Sequence, residues 1–582
     1  MVARNEEFTV HVTKNEVVAA LLPMQEHWLP MSNLDLLLPP LDVCVFFCYK
    51  KNHLLSTSTS IIGSLKHSLA QALVSYYALA GEVVTNLMGE PELLCNNRGV
   101  DFVEAHADVE LEYLNLYNPD DTIEGKLVPT KKQGVLVVQA TTLKCGGLVV
   151  ACSFDHRIAD AYSTNMFLVS WANISAQPTK PTTLPRPSFR RSILCPRRPP
   201  SIHPSLNNMY VLISDLPPPP QQQPQTMTEP LISRIYHVKV EQLNLMQTLA
   251  SSNNVKRSKV EAFSALLWKM VAEAASETGF DGGEKRVVVK MGVVVDGRKR
   301  LSNGDKDKEA MMTSYFGNVL SIPYGGKSTT ELVNKPLSWV ADQVHEFLEE
   351  AVTEEHFLGL IDWVEAHRPV PGLAKIYCGS STEEEKEEEE EGASFVVSSG
   401  QRFPVSKVDF GWGKPVFGSY HFPWGGNAGY VMPMPSPDGN GDWIVYMHLL
   451  KPHLDFIESQ ASHIFRPFSW DCLTKSNNSP NHSDSVCDLT QLLSTVYFKT
   501  YSSLTRIQRI EWNNRYLDVA GMKRSKAYLI NGVVIFIAWL VEQMHTFGQI
   551  LVIVVPVVLS IMNLVWFSKI IKGLRKTLAK RQ

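Results

Sequence analysis

The chain has 582 residues and a formal net charge of −4, with 44% hydrophobic and 20% charged residues. This composition is typical of a globular protein, and the length favours about three or four domains. The slightly negative charge argues against a broad nucleic-acid surface. Neither a zinc-finger nor a phosphate-loop motif occurs, so we expect no metal site and no nucleic-acid partner.

The cysteines indicate a reducing compartment. The nine cysteines form no C-x-x-C pair, and their number is odd. Cys44 and Cys48 lie in the apolar run DVCVFFCY, which suits buried free thiols better than a disulfide framework. Residues 1–18 alternate and carry charges, so they do not resemble a signal peptide. We expect the globular part to lie in the cytosol.

The first part of the chain alternates between helix and strand patterns. Residues 60–83 predict an amphipathic helix with Gly81 as its C-cap. Residues 135–143 and 147–154 are apolar, β-branched runs of the buried-strand type. Residues 161–174 again have helical spacing.

The middle of the chain begins with proline-rich sequence. The stretches 184–204 and 215–225 predict a linker that carries neither a helix nor a sheet ladder. Beyond it, Ser258 and Glu261 have the spacing of a capping box at the start of a helix over 258–275.

The second part of the chain shows the same alternation. Residues 286–295 and 394–399 predict strands. The acidic run 381–392 predicts a disordered surface loop, because like charges repel and stay solvated. The polar, turn-rich residues 474–485 predict the end of the globular part. Strands mixed with helices in two comparable halves indicate an α/β protein.

Two apolar segments near the C-terminus predict a membrane hairpin. Residues 550–567 form a stretch of 18 residues without a charge, which is long enough for a span, and 527–541 is a shorter second segment. Pro556 is tolerated in a membrane helix. Basic residues flank the hairpin on both sides, so both of its ends are expected in the cytosol. A buried helical hairpin is the alternative.

His156 is the candidate for chemistry. It falls in the stretch CSFDHRIADAYS, at the turn between the predicted strand 147–154 and the predicted helix 161–174. Active groups are often carried on such turns. An imidazole can take a proton from an alcohol or amine as that group attacks an activated acyl donor. The spacing from His156 to Asp160 occurs by chance as well, and a structural histidine at a strand end is the alternative.

Two motifs give the chain a family resemblance. HRIAD at 156–160 matches H-x-x-x-D, and DFGWG at 409–413 matches a second motif of the same family. With the segments LKHSLAQALVSYYALAGEV, VDGRKRL and YFGNVL, they make about residues 8–473 resemble the BAHD acyltransferases. These plant enzymes move an acyl group from coenzyme A to an alcohol or amine. QEHWLPMSNLDLLLPP and VFFCYKK are most similar to hydroxycinnamoyl- and coniferyl-alcohol-type members.

The resemblance implies an α/β fold of two chloramphenicol-acetyltransferase-like domains joined by a long crossover. The expected N-terminal domain spans 1–183, the crossover 184–230 and the C-terminal domain 231–473. A linker over 474–488 and a tail over 489–582, with the membrane segments, would follow. A solvent channel would run between the two domains. Acyl-CoA would enter it as a co-substrate from one side and the acceptor from the other, with no tightly bound cofactor.

The resemblance also implies roles for residues of the first motif. His156 would be the general base for transfer through a tetrahedral intermediate to an alcohol or amine, such as a phenylpropanoid or related specialised metabolite. Asp160 would point away from the channel and pair with an arginine. Arg298 is the candidate for that arginine, and Arg300 is the second choice.

The remaining implied roles are structural or concern the cofactor. Residues near the start of the helix at 258 would meet the coenzyme A phosphates, and Arg257 and Ser258 are the candidates. The second motif would shape the cofactor side of the channel without touching the reacting atoms; its supporting residues are Asp409, Gly411, Trp412 and Gly413.

Two local features bear on activity. The family motif usually continues with glycine, whereas Ala161 follows Asp160 here, and alanine does not reach positive φ cheaply. The loop would therefore differ from the family if that geometry were needed. Cys152 lies within an apolar strand without a nearby charge, so we expect a buried thiol instead of a nucleophile.

The C-terminal tail resembles pieces of plant TLC-domain membrane proteins. Several spans of such proteins are missing, which a gene fusion or an incorrectly joined gene would both explain. An anchored form would sit at the endoplasmic reticulum, with a monomeric acyltransferase part facing the cytosol. The alternatives to an active enzyme are an inactive acyltransferase-like binding protein and a membrane protein whose role lies in the tail.

Overall fold

Two mixed β-sheets with helices packed on them form the framework of the chain. The computed structural model describes residues 8–51, 58–178, 184–216, 230–252, 255–277, 286–378, 389–424, 426 and 428–474. The predicted membrane segments 527–541 and 550–567, with the rest of the expected tail, lie outside these residues. Within the described ranges, the helices are all too short or too polar to cross a membrane.

The strands of the described residues are numbered in chain order. They are β1 Val10–Val18, β2 His27–Pro30, β3 Asp42–Tyr49, β4 Glu82–Thr85, β5 Pro91–Cys95, β6 Val100–Ala107, β7 Leu136–Leu143, β8 Leu148–Asp155, β9 Tyr210–Leu212, β10 Leu231–Val238, β11 Arg286–Asp296, β12 Leu320–Ser321, β13 Tyr324–Ser328, β14 Gly372–Ala374, β15 Glu389–Ser398, β16 Phe417–His421, β17 Gly429–Pro435, β18 Trp443–Leu450 and β19 Arg466–Pro467.

The α-helices of the described residues are numbered in the same way. They are α1 Ser58–Ser75, α2 Pro119–Thr122, α3 Ala161–Ala176, α4 Leu206–Met209, α5 Val240–Ala250, α6 Lys259–Glu277, α7 Arg298–Ser302, α8 Lys306–Ser314, α9 Thr329–Asn334, α10 Leu337–Ala351, α11 Glu354–His367, α12 Lys451–Ala461 and α13 Asp471–Thr474.

The first sheet has six strands in the order β1-β6-β7-β8-β3-β16. The last strand of this sheet, β16, comes from late in the chain. It pairs antiparallel with β3, and Phe417 lies opposite Cys48. The second sheet has eight strands: the order is β12-β11-β15-β17-β18-β10-β19, and β13 also pairs with β11. Strand β16 thus lies in the sheet that the early part of the chain builds.

Strand β8 is buried along its whole length, as its apolar, β-branched sequence predicts. Helices α1 and α3 pack against each other. Trp171 of α3 is fully buried, and its indole N–H donates to the Leu65 carbonyl of α1 at 3.2 Å. Burying a ring of this kind contributes roughly 2–3 kcal/mol. This packing fixes α3, and with it the turn that connects α3 to β8.

The helix predicted over 60–83 is shorter than expected. Helix α1 ends at Ser75, a 3-10 turn follows over Tyr77–Ala80, and β4 begins at Glu82. Gly81 is not a left-handed cap, because its φ is −97° and its ψ is −166°. A Cβ atom at Gly81 would lie 2.6 Å from the Leu94 carbonyl oxygen, so glycine allows the close approach of two backbones instead.

The capping box at Ser258 is confirmed. The Ser258 backbone N–H donates to the Glu261 carboxylate at 2.7 Å, and the Glu261 N–H donates to the Ser258 hydroxyl at 3.2 Å. The predicted strands 135–143, 147–154, 286–295 and 394–399 are confirmed, with shifted ends, as β7, β8, β11 and β15.

Two loop predictions need correction. Within 184–204, Arg191–Leu194 forms a 3-10 turn, because the run between Pro187 and Pro196 contains no proline. The end of the acidic run 381–392 is also ordered, since Glu389 begins β15 and pairs with Arg286 of β11. Residues 381–388 lie outside the described residues.

The DFGWG segment forms a tight turn before β16. The Asp409 carboxylate accepts hydrogen bonds from the backbone N–H groups of Gly411 at 2.9 Å and Gly413 at 3.0 Å. Both glycines have positive φ, +102° and +117°. Trp412 is buried and stacks on Phe410 with ring centroids 5.3 Å apart. The turn therefore needs glycine at two positions and packs its aromatic rings inward.

We expect Gly411→Ala to destabilise the protein more than Gly413→Ala. Positive φ makes each substitution cost on the order of 1–3 kcal/mol. A Cβ atom at Gly411 would also lie 3.1 Å from the Cα atom of Ala176 at the end of α3, whereas nothing lies within 4 Å at Gly413. Urea unfolding of the two variants measures the difference. Equal losses would contradict a packed contact between this turn and α3.

Candidate active site

The turn that follows β8 is held by its backbone. The His156 N–H donates to the Leu41 carbonyl at 2.8 Å, and the His156 carbonyl accepts from the Asn318 amide at 3.0 Å. One residue on, Arg157 forms an ion pair with Asp155 at 2.6 Å. The main chain of His156 thus contacts two different parts of the chain, and these contacts position its imidazole.

Asn318 is anchored in turn by a buried carboxylate. Asp35 is fully buried and accepts hydrogen bonds from the Asn318 backbone N–H at 2.8 Å and from its side-chain amide at 2.9 Å. The Ser32 hydroxyl also donates to Asp35 at 2.7 Å. The guanidinium of Arg191 lies 3.7 Å from the same carboxylate. Both Asp35 and Asn318 were missed by the sequence predictions, although YFGNVL and QEHWLPMSNLDLLLPP contain them.

The ring of His156 has no hydrogen-bond partner among the described residues. Its Nδ1 atom is buried and unpaired. Asp160 is not its orienting carboxylate, because Asp160 serves as the N-cap of α3 and accepts from the Ser163 N–H at 2.9 Å. The motif therefore does not form an Asp-His dyad.

Asp160 and Arg298 are brought together, while Arg300 is exposed on the surface. Arg298 is 4% exposed and donates to both carboxylate oxygens of Asp160, at 2.7 and 3.1 Å. It also donates to the Ser163 hydroxyl at 3.1 Å and to the Gly317 carbonyl at 2.8 Å. Its guanidinium lies over the ring of Tyr162, 4.4 Å from the centroid. One cation thus links α3 to the segments around β11 and β12.

Ala161 does not strain the turn. It is the first residue of α3, and it is not among the described residues with positive φ. Alanine in place of the family's glycine therefore causes no backbone strain at this position, since a helical φ suits alanine. Cys152 is buried in β8, and burial raises the pKa of its thiol, which makes it unsuited to act as a nucleophile.

His156 lines a cavity of about 290 Å³ that residues of both large sheets enclose. Seven aromatic side chains line it; they are Tyr162, Tyr377, Phe403, Tyr420, Phe422, Trp424 and Tyr430. Apart from His156 and the aromatic residues, the polar side chains of the wall are those of Thr164, Asn165, Asp296, Ser398, Ser399, Gln401 and Arg402. Such a mixture of apolar wall and few polar groups is typical of a small-molecule site.

The polar groups of the cavity wall are partly tied to one another. The Tyr420 hydroxyl donates to the Asn165 side chain at 3.1 Å, and Arg402 lies 3.5 Å from Asp296. Burial raises the pKa of Tyr420, and it raises that of Tyr430 to about 12. These phenols therefore stay protonated at neutral pH and act as hydrogen-bond donors, not as bases.

The other predicted site residues lie outside the wall of this cavity. Arg257 forms an ion pair with Asp342 at 2.6 Å, and Ser258 caps α6. The four supporting residues of the DFGWG turn also do not line the cavity. Trp412 packs instead edge-on against Tyr49 of β3, whose hydroxyl donates to the Val408 carbonyl at 2.8 Å.

The comparisons with known proteins agree with one family. A family model described as Transferase family matches residues 8–464. Anthranilate N-benzoyltransferase protein 1 of Dianthus caryophyllus is 30% identical over 403 residues, which are 67% of this chain and 83% of that protein. Hydroxycinnamoyltransferase of Narcissus pseudonarcissus is 27% identical over 451 residues, which are 74% and 94% of the two chains.

Solved structures share the fold. Vinorine synthase has a TM-score of 0.55 at 20% identity, over 79% of this chain and 100% of that one. F. graminearum TRI101, complexed with coenzyme A and deoxynivalenol, has a TM-score of 0.57 at 15% identity, over 75% and 98%. With the family match, these findings show that the chain belongs to the Transferase family of BAHD acyltransferases and is an acyl-CoA-dependent enzyme that transfers acyl groups to alcohols or amines.

Proposed function

We propose that His156 is the general base of the transfer. In this mechanism its imidazole takes the proton of the acceptor hydroxyl or amine while the acceptor oxygen or nitrogen attacks the thioester carbonyl. The tetrahedral intermediate then collapses, the carbon–sulfur bond breaks, and the proton passes to the departing coenzyme A thiolate. The protein needs no covalent intermediate, because the thioester is already activated.

The observation that carries this proposal is the position of the ring in the cavity wall. His156 lines the cavity, and its Nδ1 atom is enclosed by protein. The other nitrogen, Nε2, is therefore the atom that can meet a substrate. The buried phenols of the wall stay protonated, which makes the imidazole the better base.

We further propose an aromatic acyl group, of the benzoyl or hydroxycinnamoyl class, as the natural donor. Seven aromatic side chains line the cavity, and planar rings pack well against such walls. The relatives named above include a benzoyltransferase and a hydroxycinnamoyltransferase, which supports the same class. The cavity volume of about 290 Å³ is at the lower end for ligand sites.

The coenzyme A contact expected for Arg257 and Ser258 stays a proposal. To bind a phosphate, Arg257 would have to exchange its ion pair with Asp342 for the ligand. We keep the supporting role of the DFGWG turn as a proposal as well: it would hold β16, whose residue Tyr420 lines the cavity together with Phe422, the residue that follows the strand.

The domain division at 183 and 231 and the membrane tail also stay proposals. The uncharged segment 550–567 and the basic residues that follow it support a tail that would tether the enzyme to the endoplasmic reticulum.

We expect His156→Ala to lower kcat by about 10²–10⁴-fold, because the acceptor then loses its proton without a positioned base. Release of free coenzyme A thiol from p-coumaroyl-CoA and benzoyl-CoA, with a panel of alcohols and amines, measures the rate. The matched control is His67→Ala, since His67 is exposed on α1.

The outcomes separate the competing functions. An unchanged rate in His156→Ala would refute the general-base role. Binding of acyl-CoA by the wild-type protein without turnover of any acceptor would favour an inactive binding protein. Activity that requires residues 474–582 would point to a role for the tail.

Arg298→Ala is expected to lower the free energy of unfolding by about 3–5 kcal/mol, because it leaves the Asp160 carboxylate buried without its partner. Arg300→Ala is the matched control on the same helix, and its exposed side chain should cost no more than about 0.5 kcal/mol. Urea unfolding at neutral pH compares them. Similar small losses in both variants would show that the pair does not support the fold.

A further inference from the structure

A second cluster of polar side chains lies on the opposite side of β16 from the cavity. Asp120 belongs to α2, Glu124 lies two residues beyond the end of α2, and His421 is the last residue of β16. Ligand atoms of the three side chains all lie within 4.8 Å of one another. His421 Nε2 is 3.9 Å from a carboxylate oxygen of Glu124.

The cluster has unpaired polar atoms that are buried. His421 is 1% exposed, and neither of its ring nitrogens has a hydrogen-bond partner. Asp120 uses one oxygen to accept from the Ser233 N–H at 2.6 Å, while its other oxygen is buried and unpaired. Buried polar groups without partners are rare and costly in folded proteins. A bound ion would satisfy atoms on both residues at once.

A simple ion pair does not explain the cluster. His421 Nε2 and the nearest Glu124 carboxylate oxygen are 3.9 Å apart, which is too far for a hydrogen bond, and neither ring nitrogen has a partner among the described residues. A neutral imidazole with a free lone pair is the form that binds a metal ion. The Asp120 and Glu124 carboxylates lie close together, and a cation between them would offset the repulsion of their charges.

The neighbouring groups have partners of their own. Cys44 stands opposite His421 in the β3–β16 pairing, and its thiol donates to the Ser153 hydroxyl at 3.4 Å. His448 of β18 contacts the Ser233 hydroxyl through Nδ1 at 3.0 Å. Cys44 and His448 thus both have partners. Among the described residues around the cluster, the unpaired atoms are those of His421 and Asp120.

We propose that Asp120, Glu124 and His421 bind a zinc ion. One imidazole and two carboxylates form a ligand set that zinc accepts, with water at the fourth position. Tetrahedral bonds of about 2.0–2.2 Å bring ligand atoms roughly 3.5 Å apart. Glu124 is exposed and follows the end of α2, so its side chain can move the short distance that closes the site.

Such an ion would anchor the edge strand of the first sheet. Strand β16 alternates its side chains, so His421 points away from the face on which Tyr420 and Phe422 line the cavity. Binding at His421 would tie β16 to α2 without touching the substrate. The proposed zinc site is therefore structural, and it does not depend on which residue acts as the base.

The test compares zinc binding by the chelator-treated full chain and two variants. Glu124→Gln removes one ligand charge, and Asp121→Asn is the matched control, because Asp121 is an exposed acid on the same segment outside the cluster. Titration calorimetry with ZnCl₂ alone should show one tight site in the wild type and in Asp121→Asn. Glu124→Gln should bind at least about tenfold more weakly.

Thermal unfolding provides a second measurement. Zinc should raise the Tm of the wild type and of Asp121→Asn, raise that of Glu124→Gln less, and leave all three unchanged when Mg²⁺ replaces it, because imidazole ligands disfavour Mg²⁺. Equal zinc affinity and equal Tm shifts in the wild type and Glu124→Gln would overturn the proposal. An absence of any saturable zinc site in the wild type would do the same.

Discussion

The buried ion pair between Asp160 and Arg298 is the constraint on which the site depends. Asp160 caps α3, which the early part of the chain builds, and Arg298 begins α7 beyond β11. A charge taken out of water is tolerated only when its partner and further hydrogen bonds are in place. Because the His156 turn lies between β8 and Asp160, docking of this pair also decides where the imidazole faces. The carboxylate of the motif therefore acts on the position of His156 through the fold, without touching the ring.

Strand β16 couples the two sheets in a second way. It pairs with β3 in the first sheet, while the Phe422 N–H that follows it donates to the Tyr446 hydroxyl of β18 in the second. Tyr420 of β16 and Phe422 form part of the cavity wall. The glycines of the DFGWG turn set the path by which the chain enters this strand. A motif that does not itself line the cavity can thus shape it by placing one edge strand.

Local sequence patterns predicted the helices and strands better than the contacts between them. The apolar runs of β7, β8 and β11 and the capping box at Ser258 depend on neighbours in the chain, so periodicity and spacing reveal them. The end of α1 and the role of Gly81 depend on the Leu94 carbonyl of another strand, which no local pattern shows. Asp35 and Asn318 lie far apart in sequence and meet only in the folded chain. The residues of the cavity wall also come from many segments of the chain. Among them, only the His156 turn was predicted from a sequence motif.

The isolation of the His156 ring bears on how a general base would work here. In the described part of the chain no carboxylate hydrogen-bonds to it, since Asp160 is committed to Arg298 and Nδ1 is unpaired. A proton that the ring takes from the acceptor would pass to the thiolate that leaves the tetrahedral intermediate, and the neutral ring would be restored in the same turnover. An activated thioester makes this arrangement sufficient, because the base has to assist a weak acceptor without generating a nucleophile on the enzyme.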